Sequence, residues 1–351
     1  MTSGEVRKLK NKIQIIYLRR LKKFIKTITV FGLGSVFWMS QRRIFGNSLI
    51  VFCYHDVTST PSDFSRENAL NVPPEVFDYQ IAYIKKNFNL IEPKQLMEQT
   101  LPSKAALVTF DDGFKSFFTN AIPILEKYKI PVIIYLNMGP IRGKMFWPGL
   151  IVFLCERRPD FIKYLKSQLR SEEEKKSPLY LSCSQSLVED YLEETNEDFQ
   201  EVVLDYVGPF ANETDLEQCC HNPYVFYGNH TYTHYVSCLM TDDKFMDDVE
   251  NNSKLLQRYP NYVDYFAFPF GQPELTFTES QVQMLLETGF KKVFFSSASS
   301  YNSDPYAPFH DRITLLSEDS SPATIKYRVL KPWLLNRGDL LKNLVFKDNI
   351  I

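Results

Sequence analysis

The sequence predicts an α/β protein built on a parallel sheet that helices cover on both faces. Short, almost continuous apolar runs such as "AALVTF" and "PVIIYL" alternate with longer segments whose apolar residues recur at helical spacing, such as "PEVFDYQIAYIKKNF". Strands that are apolar on both faces are typical of parallel sheets, and their alternation with helices indicates the α/β class. The 351 residues, 44% of them hydrophobic, suffice for a substantial core.

The elements follow one another in a regular order. A strand in "SLIVFCYH" precedes a helix that begins after Pro73, where proline favours a helix start. The strand "AALVTFDDG", the helix "FTNAIPILEKYKI" and the strand "PVIIYLNMG" come next, and the rhythm resumes in "YVFYGNHT", "DYFAFPFG" and "KKVFFSS". We expect this body to span residues 47–315. A tail, with a helix in "YRVLKPWLLNRGDLLKNLVF", should span residues 316–351.

The stretch from about residue 145 to residue 225 interrupts this alternation. Between Glu172 and Glu217 it holds fourteen acidic residues but only two lysines, in helical patterns such as "SLVEDYLEETNEDFQEVVLDYV". A charge run of this kind is typical of a solvated helix face. We interpret the stretch as a helical insertion with an acidic surface, and a cation-binding role for that surface is the alternative.

The first 46 residues are strongly basic and amphipathic. They contain eleven of the 40 Lys and Arg residues but only one of the 42 Asp and Glu residues, so their net charge is about +10 and that of the remainder about −12. An apolar run from Ile28 to Met39 follows, but it is shorter than the ~20 residues that a spanning helix requires. We expect residues 1–46 to form a helix in the membrane interface, with packing against the protein's own body as the alternative.

Charge and cysteine usage restrict the partners and the compartment. A basic N-terminal segment on an otherwise acidic chain favours an anionic membrane surface, rather than nucleic acid, as the binding partner of that segment. The six cysteines show no CxxC pair, which indicates free thiols and a reducing compartment. Because no signal-peptide cleavage site follows the apolar run, we expect a peripheral membrane protein on the cytoplasmic face. An envelope-facing location is the alternative.

Polar motifs follow several of the predicted strands. "FCYHDV", "TFDDG", "GNHTYTH" and "FAFPFG" each lie at the carboxyl end of a strand, the edge where α/β sheets and barrels collect functional residues. The adjacent carboxylates Asp111 and Asp112 repel each other unless a cation or hydrogen bonds stabilise them. His230 and His234 lie one turn apart if they are helical, so both imidazoles can face one ion. One Asp and two His, with positions left for water, predict a hydrolytic metal site.

The motifs "TFDDG", "HTYTH" and "FAFPFG", in this order, resemble those of the polysaccharide deacetylase family, also called the NodB-homology or carbohydrate esterase family 4 domain. The opening "YHDV" and the following "VPPEVFDYQIAYIKKNFNLI" are similar to the subgroup of exopolysaccharide deacetylases in which one motif has moved to the N-terminus. The resemblance covers roughly residues 48–145 and 224–315 and implies a distorted (β/α)7 barrel.

The resemblance also implies a role for each motif residue. Asp112, His230 and His234 would bind a divalent metal, with zinc as the first candidate and cobalt, nickel or manganese as alternatives. Asp111 would be the general base that takes a proton from the metal-bound water as this water attacks the acetamide carbonyl. The metal and a backbone N–H would hold the resulting oxyanion, and Phe270 is the candidate for the N–H.

Two further roles depend on residues outside the three motifs "TFDDG", "HTYTH" and "FAFPFG". The family often has an arginine ahead of its Pro-Tyr motif that orients the base, but "VDYFAFPFG" has none and carries Pro-Phe instead. Arg312 in "HDRITL" is the candidate substitute. The general acid that protonates the leaving amine would be His55, from the "YH" motif, with His310 as the alternative.

The expected function is a metal-dependent hydrolase that removes N-acetyl groups from a glycan or a lipid-linked amino sugar, cleaving a C–N bond other than a peptide bond. An O-acetyl esterase or another amide hydrolase on the same barrel is one alternative. A non-catalytic glycan-binding or assembly protein that retained the fold is another, since fold alone does not choose among them.

Overall fold

A computed structural model describes residues 45–98, 100–168 and 183–347 of the chain. The basic segment predicted for residues 1–46 lies almost wholly outside the described residues, so its membrane-interface helix stays a prediction. Among the described residues, no helix combines the length and the hydrophobicity needed to cross a membrane.

The centre of the described fold is a nine-stranded sheet whose strands all pair in parallel. The strands are β1 (Leu49–Tyr54), β2 (Asp56–Val57), β3 (Asn71–Val72), β4 (Asn89–Leu90), β5 (Ala105–Phe110), β6 (Val132–Leu136), β7 (Val225–Asn229), β8 (Tyr262–Ala267), β9 (Lys292–Phe295), β10 (Phe309–Asp311) and β11 (Ile313–Thr314). The order is β10-β9-β8-β7-β6-β5-β1-β11, β4 pairs with the start of β5, and β2 and β3 form a separate pair. Every residue of β1, β5 and β6 is buried, as their unbroken apolar runs predicted.

The sheet closes into a barrel at Arg312. β10 pairs with β9 at one end of the strand order, and β11 pairs with β1 at the other. Only Arg312 separates β10 from β11, so one short segment joins the two edges of the sheet. The predicted α/β class and the barrel implied by the family resemblance are confirmed. Such a barrel brings the carboxyl ends of its strands to one rim.

Helices surround the barrel and fill the predicted insertion. They are α1 (Asp63–Glu67), α2 (Pro74–Asn87), α3 (Ile122–Tyr128), α4 (Met138–Ile141), α5 (Trp147–Arg157), α6 (Pro159–Gln168), α7 (Gln185–Thr195), α8 (Gln200–Val207), α9 (Glu213–Cys219), α10 (Asp242–Leu256), α11 (Glu279–Glu287) and α12 (Pro322–Lys347). Helix α2 begins at Pro74, as the sequence predicted. The predicted C-terminal helix is present as α12, whose Ile325, Val329 and Leu330 pack into the barrel core.

The insertion is helical in its described part and has a core of its own. Leu154 of α5, Phe161 of α6, Val188 of α7 and Val203 of α8 are almost fully buried in one apolar cluster. This cluster is separate from the larger core of the barrel. Because α4 and α5 follow the carboxyl end of β6, the insertion begins at the rim where the polar motifs lie.

The cysteines agree with the sequence interpretation. All six are free, and Cys53, Cys183, Cys219 and Cys220 are buried.

Candidate active site

The polar motifs meet at the carboxyl rim of the barrel, around a cavity of about 640 Å³. Asp111 and Asp112 directly follow β5, His55 directly follows β1, and His230 directly follows β7. Motifs far apart in the sequence converge here because parallel strands end at the same rim. The cavity is lined by all of the predicted site residues, namely His55, Asp111, Asp112, His230, His234, Phe270 and Arg312.

Asp112, His230 and His234 bring three potential metal ligands to one point. Nε2 of His234 lies 3.2 Å from Oδ1 of Asp112, and Nε2 of His230 lies 3.6 Å from the same oxygen. The three ligand atoms lie within 4.8 Å of one another, and all three residues are buried. Such close convergence of buried ligand atoms is typical of a metal site rather than of a surface ion pair.

His230 and His234 do not lie on a helix, so the helical geometry considered for this pair is wrong. The residues after β7 form an irregular loop, in which Thr231 and His234 have positive φ angles of 64° and 60°. A left-handed residue interrupts a helical path, and non-glycine residues in this conformation cluster at functional sites. The loop nevertheless brings the two imidazole centroids to 4.9 Å from each other.

Three fully buried asparagines hold the first half of this loop. Asn137 donates hydrogen bonds to the carbonyl oxygens of His230 and Thr231, and Asn229 accepts one from the Thr231 N–H. Asn252 donates a hydrogen bond to Oδ1 of Asn229, the same oxygen that accepts from the Thr231 N–H. The sequence interpretation missed this network. Its one available signal was that Asn137 and Asn229 end otherwise apolar strand segments.

Asp248 of α10 holds the second half of the loop. Its carboxylate accepts hydrogen bonds from the backbone N–H groups of Tyr232 and Thr233 and from the Thr233 hydroxyl. Burial raises the pKa of Asp248, although the hydrogen bonds from Thr233 oppose this rise. Asp248 was likewise missed, since an acidic residue within the helix "DDKFMDDVE" looks like an ordinary surface carboxylate.

A backbone carbonyl sets the protonation of His230. Nδ1 of His230 lies 2.7 Å from the carbonyl oxygen of Ala267, the last residue of β8. Because a carbonyl only accepts, Nδ1 carries the proton and Nε2, which faces Asp112, keeps its lone pair. Burial lowers the pKa of His230 to about 4, so the imidazole is neutral at pH 7.

The ligand set therefore fits a divalent cation. Oδ1 of Asp112 is buried and has no hydrogen-bonding partner within the described residues, although two imidazole nitrogens lie near it. A buried carboxylate oxygen without a donor is unfavourable, and a shared cation would satisfy it together with the imidazole lone pairs. One carboxylate and two imidazoles are a set that zinc accepts readily.

Arg312 binds Asp111 through both of its terminal nitrogens. Nη1 lies 2.6 Å from Oδ1 and Nη2 lies 2.7 Å from Oδ2, and both side chains are almost fully buried. Burial alone would raise the pKa of Asp111. The charge of Arg312, aided by His230 and His55, outweighs burial and holds the pKa well below its usual range. Asp111 is therefore an oriented, ionised carboxylate.

His55 and Cys53 lie on the other side of Asp111. Nε2 of His55 lies 3.8 Å from Oδ2 of Asp111, and the thiol of Cys53 donates to the same oxygen at 3.6 Å. These three residues also cluster as potential metal ligands. Burial raises the pKa of Cys53 to about 12, and Arg312 already engages both oxygens of Asp111. We therefore assign no metal to this second cluster.

His310 lies outside the cavity. It is fully buried within β10, with its ring centroid 5.8 Å from that of Phe294, and neither ring nitrogen has a partner in the described part of the chain. Burial, with the charge of Lys292, lowers the pKa of His310 to about 3. A neutral imidazole without access to the cavity is poorly suited to donate a proton to a substrate.

Phe270 lies beside the proposed metal ligands. It has a positive φ of 59° in a turn where the Gly271 N–H donates to the Pro269 carbonyl at 2.7 Å. Its ring centroid lies 5.0 Å from that of His234. The strained turn thus holds the Pro-Phe segment against the His234 side of the cavity.

Comparison with known proteins gives partial matches in sequence. No protein-family profile matches the chain. The poly-beta-1,6-N-acetyl-D-glucosamine N-deacetylase of Escherichia coli (strain K12) is 28% identical over 93 residues, which is 25% of this chain and 13% of that protein. YxkH of Bacillus subtilis (strain 168), named as a polysaccharide deacetylase, is 30% identical over 94 residues, which is 25% of this chain and 31% of that protein. The matches thus span less than a third of either relative's length.

Solved structures share the fold over most of the chain. IcaB from Ammonifex degensii aligns with a TM-score of 0.53 at 18% identity, over 81% of this chain and 98% of that one. The Streptococcus pyogenes deacetylase PplD, in complex with acetate, aligns with a TM-score of 0.53 at 15% identity, over 81% of this chain and 99% of that one. The shared barrel and the partial sequence matches confirm the resemblance of this chain to the NodB-homology polysaccharide deacetylases.

Proposed function

We propose that the chain is a metal-dependent hydrolase that removes the N-acetyl group from an amino sugar in a glycan or a lipid-linked saccharide. The supporting observation is that the two adjacent carboxylates differ in their closest partners. Asp112 faces two imidazoles, whereas Asp111 is bound by Arg312 and faces His55. Different surroundings give two neighbouring carboxylates different roles.

Asp112, His230 and His234 would hold the cation, with zinc as the first candidate. When bound, such an ion supplies Lewis acidity: it lowers the pKa of a water molecule and polarises an amide carbonyl. The loop that carries both histidines is held by a hydrogen bond from Asn137 to the Thr231 carbonyl and by one from the Tyr232 N–H to Asp248, so the loop backbone is fixed before an ion binds.

Asp111 serves as the general base. Arg312 keeps its carboxylate ionised and fixes its plane, so it is ready to accept a proton throughout the neutral pH range. Its Oδ2 lies 3.9 Å from Nε2 of His230, and this distance supports a proton acceptor beside the proposed metal ligands. This proximity is what general-base catalysis requires.

His55 serves as the general acid. An amide nitrogen leaves poorly unless it is protonated, so a donor must lie within the cavity. The His55 side chain is 19% exposed, lines the cavity and has its Nε2 3.8 Å from Oδ2 of Asp111, which supports a role as proton donor beside the base. We further propose that the backbone N–H of Phe270 stabilises the oxyanion.

The cellular setting belongs to the same proposal. The basic, amphipathic pattern of residues 1–46 supports peripheral attachment to an anionic membrane, on the cytoplasmic face. Extraction of the membrane-bound protein by high salt or carbonate tests the attachment, and protease accessibility tests the side.

The test of the reaction is amine release from N-acetylated chitooligosaccharides. Wild type and Asp264→Asn, which changes an exposed carboxylate on β8, should release amine, whereas Asp111→Asn should lose at least ~10²-fold in kcat. Acetate release from O-acetylated glycans without amine release would instead support the esterase alternative. Glycan binding without either reaction would support the binding-protein alternative.

A further inference from the structure

Part of the cavity lining outside the catalytic cluster is apolar. Helix α5 has the sequence "WPGLIVFLC" over its first nine residues, and it presents apolar side chains to two surroundings. Leu150 and Leu154 pack into the core of the insertion. Trp147, Ile151 and Val152 also contact that core, and together with Pro148 they line the cavity. We call these four residues the α5 wall.

Polar groups are scarce outside the catalytic cluster. Among the described residues, Asn68 and Gln272 are the only carboxamides that line the cavity, and Ser296 and Thr314 add two hydroxyl groups. Both side-chain amides already donate to backbone carbonyls, at 2.9 Å and 3.1 Å. Within the part of the chain that the structure describes, no charged side chain lines the cavity apart from the catalytic residues. A groove that binds successive sugar rings needs many hydrogen-bonding groups for their hydroxyls, and the described cavity offers few.

The wall is also poorly suited to stack sugar rings. Trp147 is 5% exposed and packs edge-on against Tyr235, with ring centroids 4.4 Å apart, so it offers no open aromatic face. Ile151 and Val152 are aliphatic. Aliphatic side chains of this kind favour contact with a hydrocarbon group, because the burial of apolar surface is favourable and requires no particular orientation.

The apolar lining extends from the buried interior to the surface. Trp147 and Ile151 are almost fully buried, whereas Val152 is half-buried and Leu275, also in the lining, is 45% exposed. An elongated apolar group could therefore begin at the catalytic cluster and leave the cavity toward solvent or a membrane surface.

We propose that the substrate is an amino sugar joined to an alkyl chain, as in a lipid-linked saccharide, and that the chain lies along the α5 wall while the acetamido group reaches the Asp111 and Asp112 cluster. This inference rests on the proposed function and narrows its substrate class. The basic, amphipathic residues 1–46 agree with it, since they would hold the enzyme at the surface where such a substrate resides.

The test compares the hexyl and methyl glycosides of N-acetylglucosamine, below the micelle concentration. Each methylene that the wall covers should raise kcat/KM about fourfold, so the hexyl glycoside should be preferred at least ~10-fold. Val152→Ser should weaken this preference, and Val152→Phe, which fills the wall, should abolish it while sparing the methyl glycoside. Val202→Ser, at a 45% exposed valine of α8 outside the cavity lining, is the matched control and should keep the preference.

The outcomes separate this inference from the proposed function. Equal turnover of both glycosides by wild type would be compatible with the deacetylase proposal. It would overturn the proposal that an alkyl chain of the substrate binds along the α5 wall. A preference for an N-hexanoyl over an N-acetyl group, without a hexyl-glycoside preference, would overturn it as well. If no amine is released from any substrate, but calorimetry shows tighter binding of the hexyl glycoside that Val152→Ser weakens, the wall is supported and the deacetylase function fails.

Discussion

Arg312 forms two hydrogen bonds with the carboxylate of Asp111 inside the barrel, although the two residues lie 201 positions apart in the sequence. Arg312 is also the single residue between β10 and β11, so the position that closes the sheet is the position that pairs the proposed base. Neither side chain is more than 4% exposed. Because the pair is buried, loss of the guanidinium would leave an uncompensated charge in the barrel.

Replacing Arg312 should therefore affect both catalysis and stability. Arg312→Lys keeps the positive charge but loses the bidentate hydrogen bonding to Asp111. We expect kcat to fall about 10²-fold while the folded structure is retained. Arg312→Met should lower the free energy of unfolding by about 3–5 kcal/mol, because Asp111 then lies buried and unpaired. Steady-state kinetics and denaturant unfolding measure the two effects. Wild-type kcat in Arg312→Lys would show that Arg312 does not orient the base.

Metal affinity should depend on Asp248, which does not contact the proposed ion. Asp248→Ala removes the acceptor for the N–H groups of Tyr232 and Thr233 and should weaken zinc binding about 10- to 100-fold by loosening the ligand loop. The control is Asp247→Ala, an exposed neighbour on the same helix. Calorimetric titration of zinc into the metal-free proteins gives the comparison. Equal affinities in both variants would mean that the loop needs no such support.

Loss of His55 should matter more for amides than for activated esters. His55→Gln removes the proposed proton donor, so deacetylation of an N-acetylated glycan should fall about 10²- to 10⁴-fold. Hydrolysis of nitrophenyl acetate should fall far less, because nitrophenolate leaves without a proton. His221→Gln, an exposed histidine that precedes β7 at the end opposite to His230, serves as the control. Equal losses on both substrates would assign His55 a structural role.

The buried His310 should make the protein less stable in mild acid. Its folded-state pKa of about 3 lies below the ordinary value of 6.5. Between these two pH values, His310 is therefore protonated in the unfolded chain but neutral in the folded chain. The contribution to stability is intact above pH 6.5 and declines as the pH falls from 6.5 toward 3. Between pH 8 and pH 5 the loss amounts to about 2 kcal/mol. Wild type should lose this much more than His310→Leu in denaturant unfolding, and parallel pH profiles would contradict the assignment.

The fold and most of the candidate site could be predicted from the sequence. Unbroken apolar strands specify a parallel sheet, and the adjacent aspartates and the histidine pair stood out because each follows such a strand. Even the role of Arg312 as partner of Asp111 was available as a candidate, since the usual arginine position is empty in "VDYFAFPFG".

What the sequence could not supply depends on contacts between distant elements. The left-handed residues Thr231 and His234 keep the histidine pair out of a helix, and these conformations are stabilised by Asn137, Asn252 and Asp248 from other parts of the chain. No local pattern encodes such partners. The choice between the two histidines considered as general acid likewise depended on burial, which only the closed barrel determines.

The most direct test of the account is metal content measured in parallel with amine release. Wild type should bind one zinc ion per chain, lose amine release at least ~10³-fold after chelation, and recover it when zinc returns. Asp112→Ala should neither retain the ion nor react, whereas Asp264→Ala should do both. Undiminished amine release from the metal-free wild-type protein would contradict the assignment of Asp112, His230 and His234 as a catalytic metal site.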